Sequence, residues 1–318
     1  MARRIITEKS RRMEAGFDEF PEGCISAILS RTTPVDVCRL SLVSKTFLYA
    51  ADSDAVWNHF LPLDSRLINS IISHSPSLAN APTKKALYLA LSDSPIIIDH
   101  GRKSFKLDRK SGKICYMLAA RSLTIHCGDG DSDDDSDDEL LIDKEWIHMN
   151  DSRFPEVVKL CLVFSLEIRG IINTFSLSQN TWYAAYLVFK MIDDYGFENE
   201  PMDLSIDVVG GHSSTKSVCL DPNASLNKER TCSRNHSYKR RTVCKCPGPR
   251  WRPFPNVIGL QRPTMRSDGW LEIEMGELFN SRLEGEEVQM SVVEKLESGN
   301  KKGNFFLEGI EVRPKEEN

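Results

Sequence analysis

Residues 183–191, YAAYLVFKM, are apolar at all but one position, which predicts a β-strand covered on both faces. The stretch 160–168, LCLVFSLEI, instead has apolar side chains at every second position, the two-residue repeat of a single strand with one buried face. Further short strands are predicted at 203–209, 270–275, 287–293 and 306–312. Because these strands follow one another with little helix between them, this part of the chain is predicted to be a β-sandwich or barrel.

The composition indicates the class of protein and the cellular compartment in which we expect it. Of the 318 residues, 40% are hydrophobic and 27% are charged, which fits an ordinary globular protein. No apolar run approaches a membrane span, and the basic start MARRIITEKSRR lacks the apolar stretch of a secretory signal. Nine cysteines without framework spacing indicate thiols in a reducing compartment. We therefore expect a cytoplasmic and/or nuclear protein with no membrane partner.

The segment before the strands predicts three short helices separated by strong punctuation. Thr33 followed by Pro34 fits a helix N-cap with proline in the first turn, and a third helix is expected to start after Asp52 or Ser53. So short a segment cannot bury all of its apolar side chains within itself, so the excess faces the rest of the chain or another protein. The apolar positions of the three helices are Ile25, Ile28 and Leu29; Leu40, Val43 and Phe47; and Val56, Trp57 and Phe60.

Residues 17–62 resemble the F-box, the motif that docks substrate receptors onto the Skp-type adaptor of cullin–RING ubiquitin ligases. The resemblance rests on FPEGCISAILS at 20–30, PVDVCRLSLVSK at 34–45 and the closing Trp57, with Phe20 where the family usually has leucine. It implies adaptor contacts, although part of the same set must also hold the helices together. The implied contact residues are Phe20, Pro21, Ile25, Ile28, Leu29, Leu40, Val43 and Trp57.

The strand-rich part resembles the phloem lectin (Nictaba-related) family. The resemblance covers roughly 101–314 and rests on AYLVFK, RSDGWLEIEMGELFN, EGIEVRP and, upstream, LEIRGII. It implies a jelly-roll-like sandwich that binds N-acetylglucosamine-containing glycans. The expected class is thus α+β multidomain: a disordered basic N-terminus at 1–16, an F-box at 17–62, a helical linker at 63–95 that acts as a spacer, and an all-β lectin-type domain at 96–318.

The lectin resemblance also implies where a sugar would bind, and this chain departs from the family there. Two tryptophan positions of the family carry Cys127 and Lys144, so two aromatic platforms are missing. Trp146, Glu287 and Glu294 match family positions near the sugar. Each also has a structural interpretation, as packing for the tryptophan and as ordinary outward strand carboxylates for the two glutamates. The predicted sugar site is therefore a degraded one.

Two charged insertions interrupt the lectin pattern, at 128–140 and 228–252. The first holds eight carboxylates but fits no register of a calcium-binding EF-hand loop, so a disordered loop is expected. Ser132 and Ser136 precede acidic residues in the context that an acidophilic kinase prefers, which predicts phosphorylation. In the second insertion Lys239–Arg241 suggests a nuclear-import or nucleic-acid patch, or a solvated loop. The spacing of Cys232, Cys244 and Cys246 does not fit a zinc site, so no metal is expected.

Catalysis by this chain is not expected, because it has no nucleophile elbow, glycine-rich phosphate loop or metalloprotease motif. No cofactor is implied either. The two resemblances together indicate the substrate-recognition subunit of a ubiquitin ligase, with the lectin-like domain selecting a protein or glycoprotein target. The alternative is a carbohydrate-binding lectin in stress or defence signalling. A third class, a module that binds a basic partner through its acidic loop, also remains open.

Overall fold

The computed structural model describes residues 20–61, 65–128, 143–161, 165–191, 197, 200–222, 257, 259–281, 285–294 and 305–315. The chain divides into two compact units. The helical unit comprises residues up to Ser94 together with Leu107–Lys113, and the β unit comprises Pro95–Lys106 and the chain from Ile114 onward. Within the described residues, no helix is both long and apolar enough to cross a bilayer.

The helical unit is built from short helices with well-defined starts. Thr33 caps α2, since its hydroxyl accepts a hydrogen bond from the Asp36 amide at 3.2 Å, and Ser44 caps α3 through the amide of Phe47. Helix α1 packs against α3 and α4, and α4 packs against α7. The helices are α1 Glu22–Leu29, α2 Pro34–Leu40, α3 Lys45–Asp52, α4 Asp54–Phe60, α5 Ser65–His74, α6 Pro76–Ala79 and α7 Lys84–Asp93.

The helical unit differs from the sequence expectation in two ways. The second predicted helix is divided into α2 and α3, because a turn at 41–43 precedes Ser44, whose side chain starts a new helix. The helices after residue 62 are also more than a spacer. Leu87, Tyr88 and Leu91 of α7 are buried, and the Tyr88 ring lies 5.1 Å from the Trp57 ring, so α7 completes the core of the helical unit.

In the described residues the β unit consists of two antiparallel sheets. One sheet has nine strands in the order β1-β2-β3-β14-β8-β12-β11, with β6 beside β14 and β5 beside β6; the other has five in the order β10-β9-β13-β7-β4. The strands are β1 Ile96–Ile98, β2 Lys103–Leu107, β3 Ile114–Ala119, β4 Thr124–Gly128, β5 Asp143–Ile147, β6 Val157–Cys161, β7 Ser165–Asn173, β8 Thr181–Met191, β9 Pro201–Val208, β10 Ser213–Cys219, β11 Thr264–Met265, β12 Leu271–Asn280, β13 Glu287–Glu294 and β14 Phe305–Pro314.

The predicted β-sandwich is confirmed at this level, while its jelly-roll connectivity stays a prediction. Strand β8 lies in the interior of the nine-stranded sheet between β12 and β14, and most of its side chains are buried, as its continuous apolar sequence predicts. The prediction of one strand over 160–168 is wrong. Its first residues belong to β6 in the nine-stranded sheet, and Ser165–Ile168 belong to β7 in the five-stranded sheet.

The nine-stranded sheet is covered on its inner face and on part of its outer face. Its inner face packs towards the five-stranded sheet, and a second hydrophobic cluster covers part of its outer face. This second cluster explains why β14 is buried on both sides along most of its length. At Gly309 in β14 an added Cβ would lie 1.9 Å from the carbonyl oxygen of Leu118, so only glycine fits. The second cluster consists of Met117, Ala119, Phe154, Val157, Val188, Trp270 and Phe306.

Candidate docking surface and sugar-binding positions

Three of the predicted adaptor-contact residues form the core of the helical unit. Ile25 and Leu29 are fully buried on one face of α1. Trp57 is also buried, and its indole nitrogen donates a hydrogen bond to the Ala51 carbonyl at 2.6 Å. A buried side chain cannot contact a partner while the unit stays folded, so these three residues hold the helices together.

The other predicted contact residues are accessible. Ile28 lies at the edge of the buried face of α1 and is 48% exposed, and Val43, in the turn between α2 and α3, is 68% exposed. Phe20 and Pro21, at the start of α1, are exposed as well, while Leu40 is partly buried. Large apolar side chains exposed together on one small unit indicate a surface that another protein covers. These residues belong to what we call the apolar docking surface: Phe20, Pro21, Ile28, Leu40, Leu42, Val43, Leu48 and Tyr49.

The structure adds three exposed apolar residues that the sequence argument missed. Leu42 is 87% exposed in the turn before α3, and Leu48 and Tyr49 lie on the outer side of α3. A signal for Leu42 was present in the sequence, because it lies off the face that Leu40, Val43 and Phe47 would share on one helix. Leu48 and Tyr49 could have been found in the same way once Ser44 was recognised as a helix cap.

The ring of Trp146 in β5 is covered by cationic side chains, so the covered ring face is not accessible to a sugar. The guanidinium carbon of Arg121 lies 3.7 Å from the centre of the Trp146 ring, and Arg121 is also paired with Glu156 at 2.8 Å. The Lys144 ammonium lies 5.6 Å from the same ring. Stacked cations stabilise an aromatic ring and cover its face. The packing interpretation therefore accounts for Trp146 in this structure.

The two predicted glutamates do not converge on one ligand. Glu287 begins β13 and Glu294 ends it, which separates their backbones by about 23 Å at ~3.3 Å per residue. Because seven residues separate them, their side chains also point to opposite faces of the sheet. Cys127 and Glu294 lie at the same end of the five-stranded sheet: Cys127 pairs with Leu166, and the residue before Glu294 pairs with Glu167. Trp146 and Lys144 belong to the other sheet.

Several predictions fall on residues outside the described part of the chain. They include the basic N-terminus at 1–16, the acidic insertion with Ser132 and Ser136, and the basic insertion at 228–252 with its cysteines. Within the described residues, no group of three His, Cys, Asp or Glu side chains could hold a metal ion. The six cysteines of the described part are not joined in disulfides.

Residues of the RSDGWLEIEMGELFN and EGIEVRP motifs meet Arg153 on the outer face of the nine-stranded sheet, in what we call the ion network: Arg153, Arg266, Glu272, Glu311 and Arg313. The carboxylate of Glu311 accepts a hydrogen bond from Arg153 at 2.8 Å and another from Arg266 at 2.7 Å. Arg313 donates two hydrogen bonds to Glu272, both at 2.8 Å, in a bidentate pair. The network thus joins Ser152–Phe154 (SRF) to the RSDGW and EGIEVRP motifs, which lie far apart in the sequence.

The electrostatics of Glu311 follow from its two arginine partners. Burial alone would raise the pKa of Glu311, but the guanidinium groups of Arg153 and Arg266 outweigh it and lower the pKa to about 2. The neighbouring Glu308 behaves in the opposite way: burial raises its pKa, even though it accepts hydrogen bonds from the Arg153 amide at 2.6 Å and the Ser152 hydroxyl at 3.0 Å. Glu311 therefore stays ionised in the folded protein over the physiological range.

The RSDGW motif forms a tight turn that leads into β12. Its backbone closes through the Arg266 amide to the Trp270 carbonyl at 2.8 Å, and Gly269 adopts the positive φ of 82° that glycine favours. Trp270 then enters the second hydrophobic cluster, fully buried, and its indole nitrogen donates to the Asp151 carbonyl at 2.8 Å. Phe154 of the SRF stretch enters the same cluster.

These contacts assign a structural role to the RSDGW and EGIEVRP motifs, on which the sequence resemblance rested, and to the SRF stretch. Arg153 and Arg266 both form ion pairs with Glu311, and Trp270 is buried away from solvent. The motifs therefore identify the scaffold of the β unit, and they do not identify its ligand. A binding surface of this unit has to be sought among its exposed residues.

The helical unit and the β unit each match a known family. The F-box domain model matches residues 17–59, and the phloem protein 2 model matches residues 113–314. These matches define the class as an F-box protein with a phloem protein 2, or lectin-like, domain.

Relatives in Arabidopsis thaliana align with this chain over nearly its whole length. F-box protein PP2-B10 is 37% identical over 98% of this chain and 97% of its own, and F-box protein VBF is 38% identical over 93% and 98%. F-box protein SKIP3 is 33% identical over 98% and 95%. The chain belongs to this family of plant F-box proteins with a phloem protein 2 domain.

Similarity to solved structures is too low to add to this assignment. TmCBM61 in complex with β-1,4-galactotriose aligns with a TM-score of 0.28 and 10% identity over 62% of this chain and 91% of the other. A likeness at that level carries no argument about fold or ligand.

Proposed function

We propose that the protein is a non-catalytic substrate-recognition subunit of a cullin–RING ubiquitin ligase of the SCF type. The helical unit docks onto the Skp-type adaptor, and the β unit selects a protein or glycoprotein target. Holding the target close to the ubiquitin-charged enzyme raises the effective concentration of its lysines, which is how a receptor without catalytic residues promotes a reaction.

The observation that carries the proposal is the apolar docking surface on a unit that belongs to the F-box family. Ile28, Leu42 and Val43 are exposed in the isolated chain, although each is large and apolar. Burying such side chains against a partner is favourable by about 25 cal/mol for every Å² removed from water. The buried Ile25, Leu29 and Trp57 keep the surface rigid, so little order has to be imposed on the unit when it binds.

Replacing Ile28 by aspartate is expected to weaken binding of the full-length protein to a recombinant Skp-type adaptor by at least about 100-fold. A carboxylate buried without a partner in an apolar interface costs several kcal/mol, and ~3 kcal/mol corresponds to about 100-fold in affinity. Isothermal titration calorimetry measures the change directly. Circular dichroism of the variant should match that of the unmodified protein, since Ile28 lies on the surface.

A matched control is available in the β unit. Ile171 in β7 is 56% exposed, similar to Ile28, so Ile171→Asp introduces the same charge at a comparable site outside the docking surface. It should leave adaptor affinity unchanged. Equal losses of affinity for Ile28→Asp and Ile171→Asp, or unchanged affinity for Ile28→Asp, would show that the adaptor does not bind at the apolar docking surface.

A further inference from the structure

The outer face of the nine-stranded sheet carries two exposed aromatic side chains side by side. Trp182 in β8 and Phe279 in β12 are cross-strand partners, so their side chains project from the same face. Their ring centroids are 5.2 Å apart with the planes inclined by 47°, and the residues are 54% and 45% exposed. Tryptophan usually buries most of its surface in a folded protein, so this pair is costly to leave open to water.

Hydrogen-bonding groups border the two rings on one side. The Lys315 amide donates to the Trp182 carbonyl at 2.9 Å, which places Lys315, directly after the end of β14, next to Trp182. Glu277 precedes Phe279 by two residues on the same face of β12, opposite Ala184 of β8. The Lys315 ammonium is paired with the Glu277 carboxylate, and this bridge lies across the fully buried Ala184.

This combination of groups fits the chemistry of an uncharged sugar. A pyranose ring has an apolar face of C–H bonds, which stacks on an aromatic ring, and hydroxyl groups at its edge, which both donate and accept hydrogen bonds. The Glu277 carboxylate accepts from a hydroxyl and the Lys315 ammonium donates to one. Because the two charges cancel, the border favours a neutral ligand over an anion or a cation.

The size of the open surface argues against a second copy of the chain as the occupant. A fully exposed tryptophan or phenylalanine presents about 150–250 Å², so two half-exposed rings present roughly 200 Å². A stable protein interface buries about 800 Å² on each partner. Beyond the rings the same face turns to charged pairs such as Lys315–Glu277, so the apolar area does not extend to that size.

We propose that Trp182 and Phe279 form a platform that binds the pyranose ring of a neutral glycan. The site is separate from Trp146, whose ring is covered by Arg121 at 3.7 Å. The inference rests on the proposal that the β unit selects the target, and it specifies the part of a glycoprotein that this unit contacts. Trp182 and Phe279 supply the stacking surface, and Glu277 and Lys315 orient the sugar hydroxyls.

The test is a titration of the full-length protein with neutral oligosaccharides: chitotetraose, cellotetraose, galactotriose and N-acetyllactosamine. We expect at least one of them to bind, with an affinity at least tenfold lower in Trp182→Ala and in Phe279→Ala. Trp182→Phe, which keeps an aromatic ring, should retain most of the binding. The matched controls Trp146→Ala and Phe175→Ala, the second at a phenylalanine that is 59% exposed outside the platform, should bind as the unmodified protein does.

Three results would overturn the proposal. The first is absence of binding to all four oligosaccharides at millimolar concentration. The second is binding that Trp146→Ala abolishes and Trp182→Ala leaves intact. The third is self-association of the unmodified protein, seen by analytical ultracentrifugation, that Trp182→Ala removes. Adaptor binding measured on the same preparations separates the two proposals, because it should persist in Trp182→Ala whether or not a sugar binds.

Discussion

Replacing Glu311 by glutamine is expected to destabilise the β unit by about 3 to 5 kcal/mol, the usual cost of breaking a buried ion pair by removing one partner. Glu311 is 7% exposed and accepts hydrogen bonds from Arg153 and Arg266. Glutamine keeps the shape of the side chain but removes its charge, which leaves these two guanidinium groups without their main compensation. The loss affects folding and does not remove any group that we assign to binding.

The measurement is urea denaturation of the full-length protein, followed by tryptophan fluorescence, to which the buried Trp270 of the β unit contributes. Glu156→Gln is the matched control. Glu156 forms an ion pair with Arg121 in which both side chains are more than 40% exposed, and such pairs contribute about 0 to 1 kcal/mol. Equal destabilisation by the two substitutions would contradict a special role for the ion network.

The pH dependence gives an independent check on Glu311. Its pKa is about 2 in the folded protein against 4.5 ordinarily, so its contribution to stability is complete above pH 4.5 and is lost as the pH falls towards 2. The raised pKa of Glu308 acts in the opposite direction and partly offsets this loss. The difference in stability between the unmodified protein and Glu311→Gln should therefore shrink as the pH falls from 4.5 to 2.

Replacing Trp270 by alanine is expected to destabilise the β unit by about 3 to 5 kcal/mol, the cost of removing a large aromatic side chain from a core. Trp270 is fully buried in the second hydrophobic cluster, and the Asp151 carbonyl would also lose the hydrogen bond from its indole nitrogen. Thermal or urea denaturation measures the change.

Trp182→Ala is the matched control for Trp270→Ala, since it removes the same side chain from an exposed position. We expect a change of less than about 1 kcal/mol there, because most of the Trp182 ring is already in contact with water. A large loss of stability in Trp182→Ala would mean that this side chain belongs to the core. A small loss in Trp270→Ala would mean that the second cluster does not support the fold.

The fold could be predicted from the sequence where a hydrophobic pattern is compatible with a single structure, and it was predicted wrongly where two structures give the same pattern. Strand β8 was predicted correctly because a strand with apolar side chains on both faces has to be covered on both faces. The alternation over 160–168 was misleading, since it includes residues of β6 and of β7, which belong to different sheets. Alternation reports which side chains are buried, and it does not report which sheet buries them.

The helical unit illustrates a similar limit. Leu40, Val43 and Phe47 have the spacing of one helix, but Ser44 starts a new helix after a turn, and that turn brings Leu42 and Val43 to the surface. The apolar pattern alone could not show that Ile25 and Leu29 are buried while Ile28 is exposed and available to a partner. That separation depends on where α3 and α4 pack, which is a tertiary property.

The ion network could not be predicted from the sequence at all. Arg153 and Glu311 are 158 residues apart, and nothing local to either one indicates the pairing. The same holds for Arg121 and Trp146. The guanidinium of Arg121 stacks on the Trp146 ring and covers it, and nothing in the sequence near either residue indicates this contact. The cross-strand pairing of Trp182 with Phe279 is also a matter of register, which sequence patterns leave undetermined.

We propose that the adaptor binds the helical unit through its apolar docking surface and leaves the β unit free to bind the target. Hydrogen–deuterium exchange of the full-length protein, with and without a Skp-type adaptor, tests this division of roles. We expect slower amide exchange after adaptor binding in α1 and in the segment from Leu40 to Tyr49, with exchange in β8, β12 and β14 unchanged. Protection confined to the strands of the β unit, with exchange in α1 and the 40–49 segment unaltered, would contradict it.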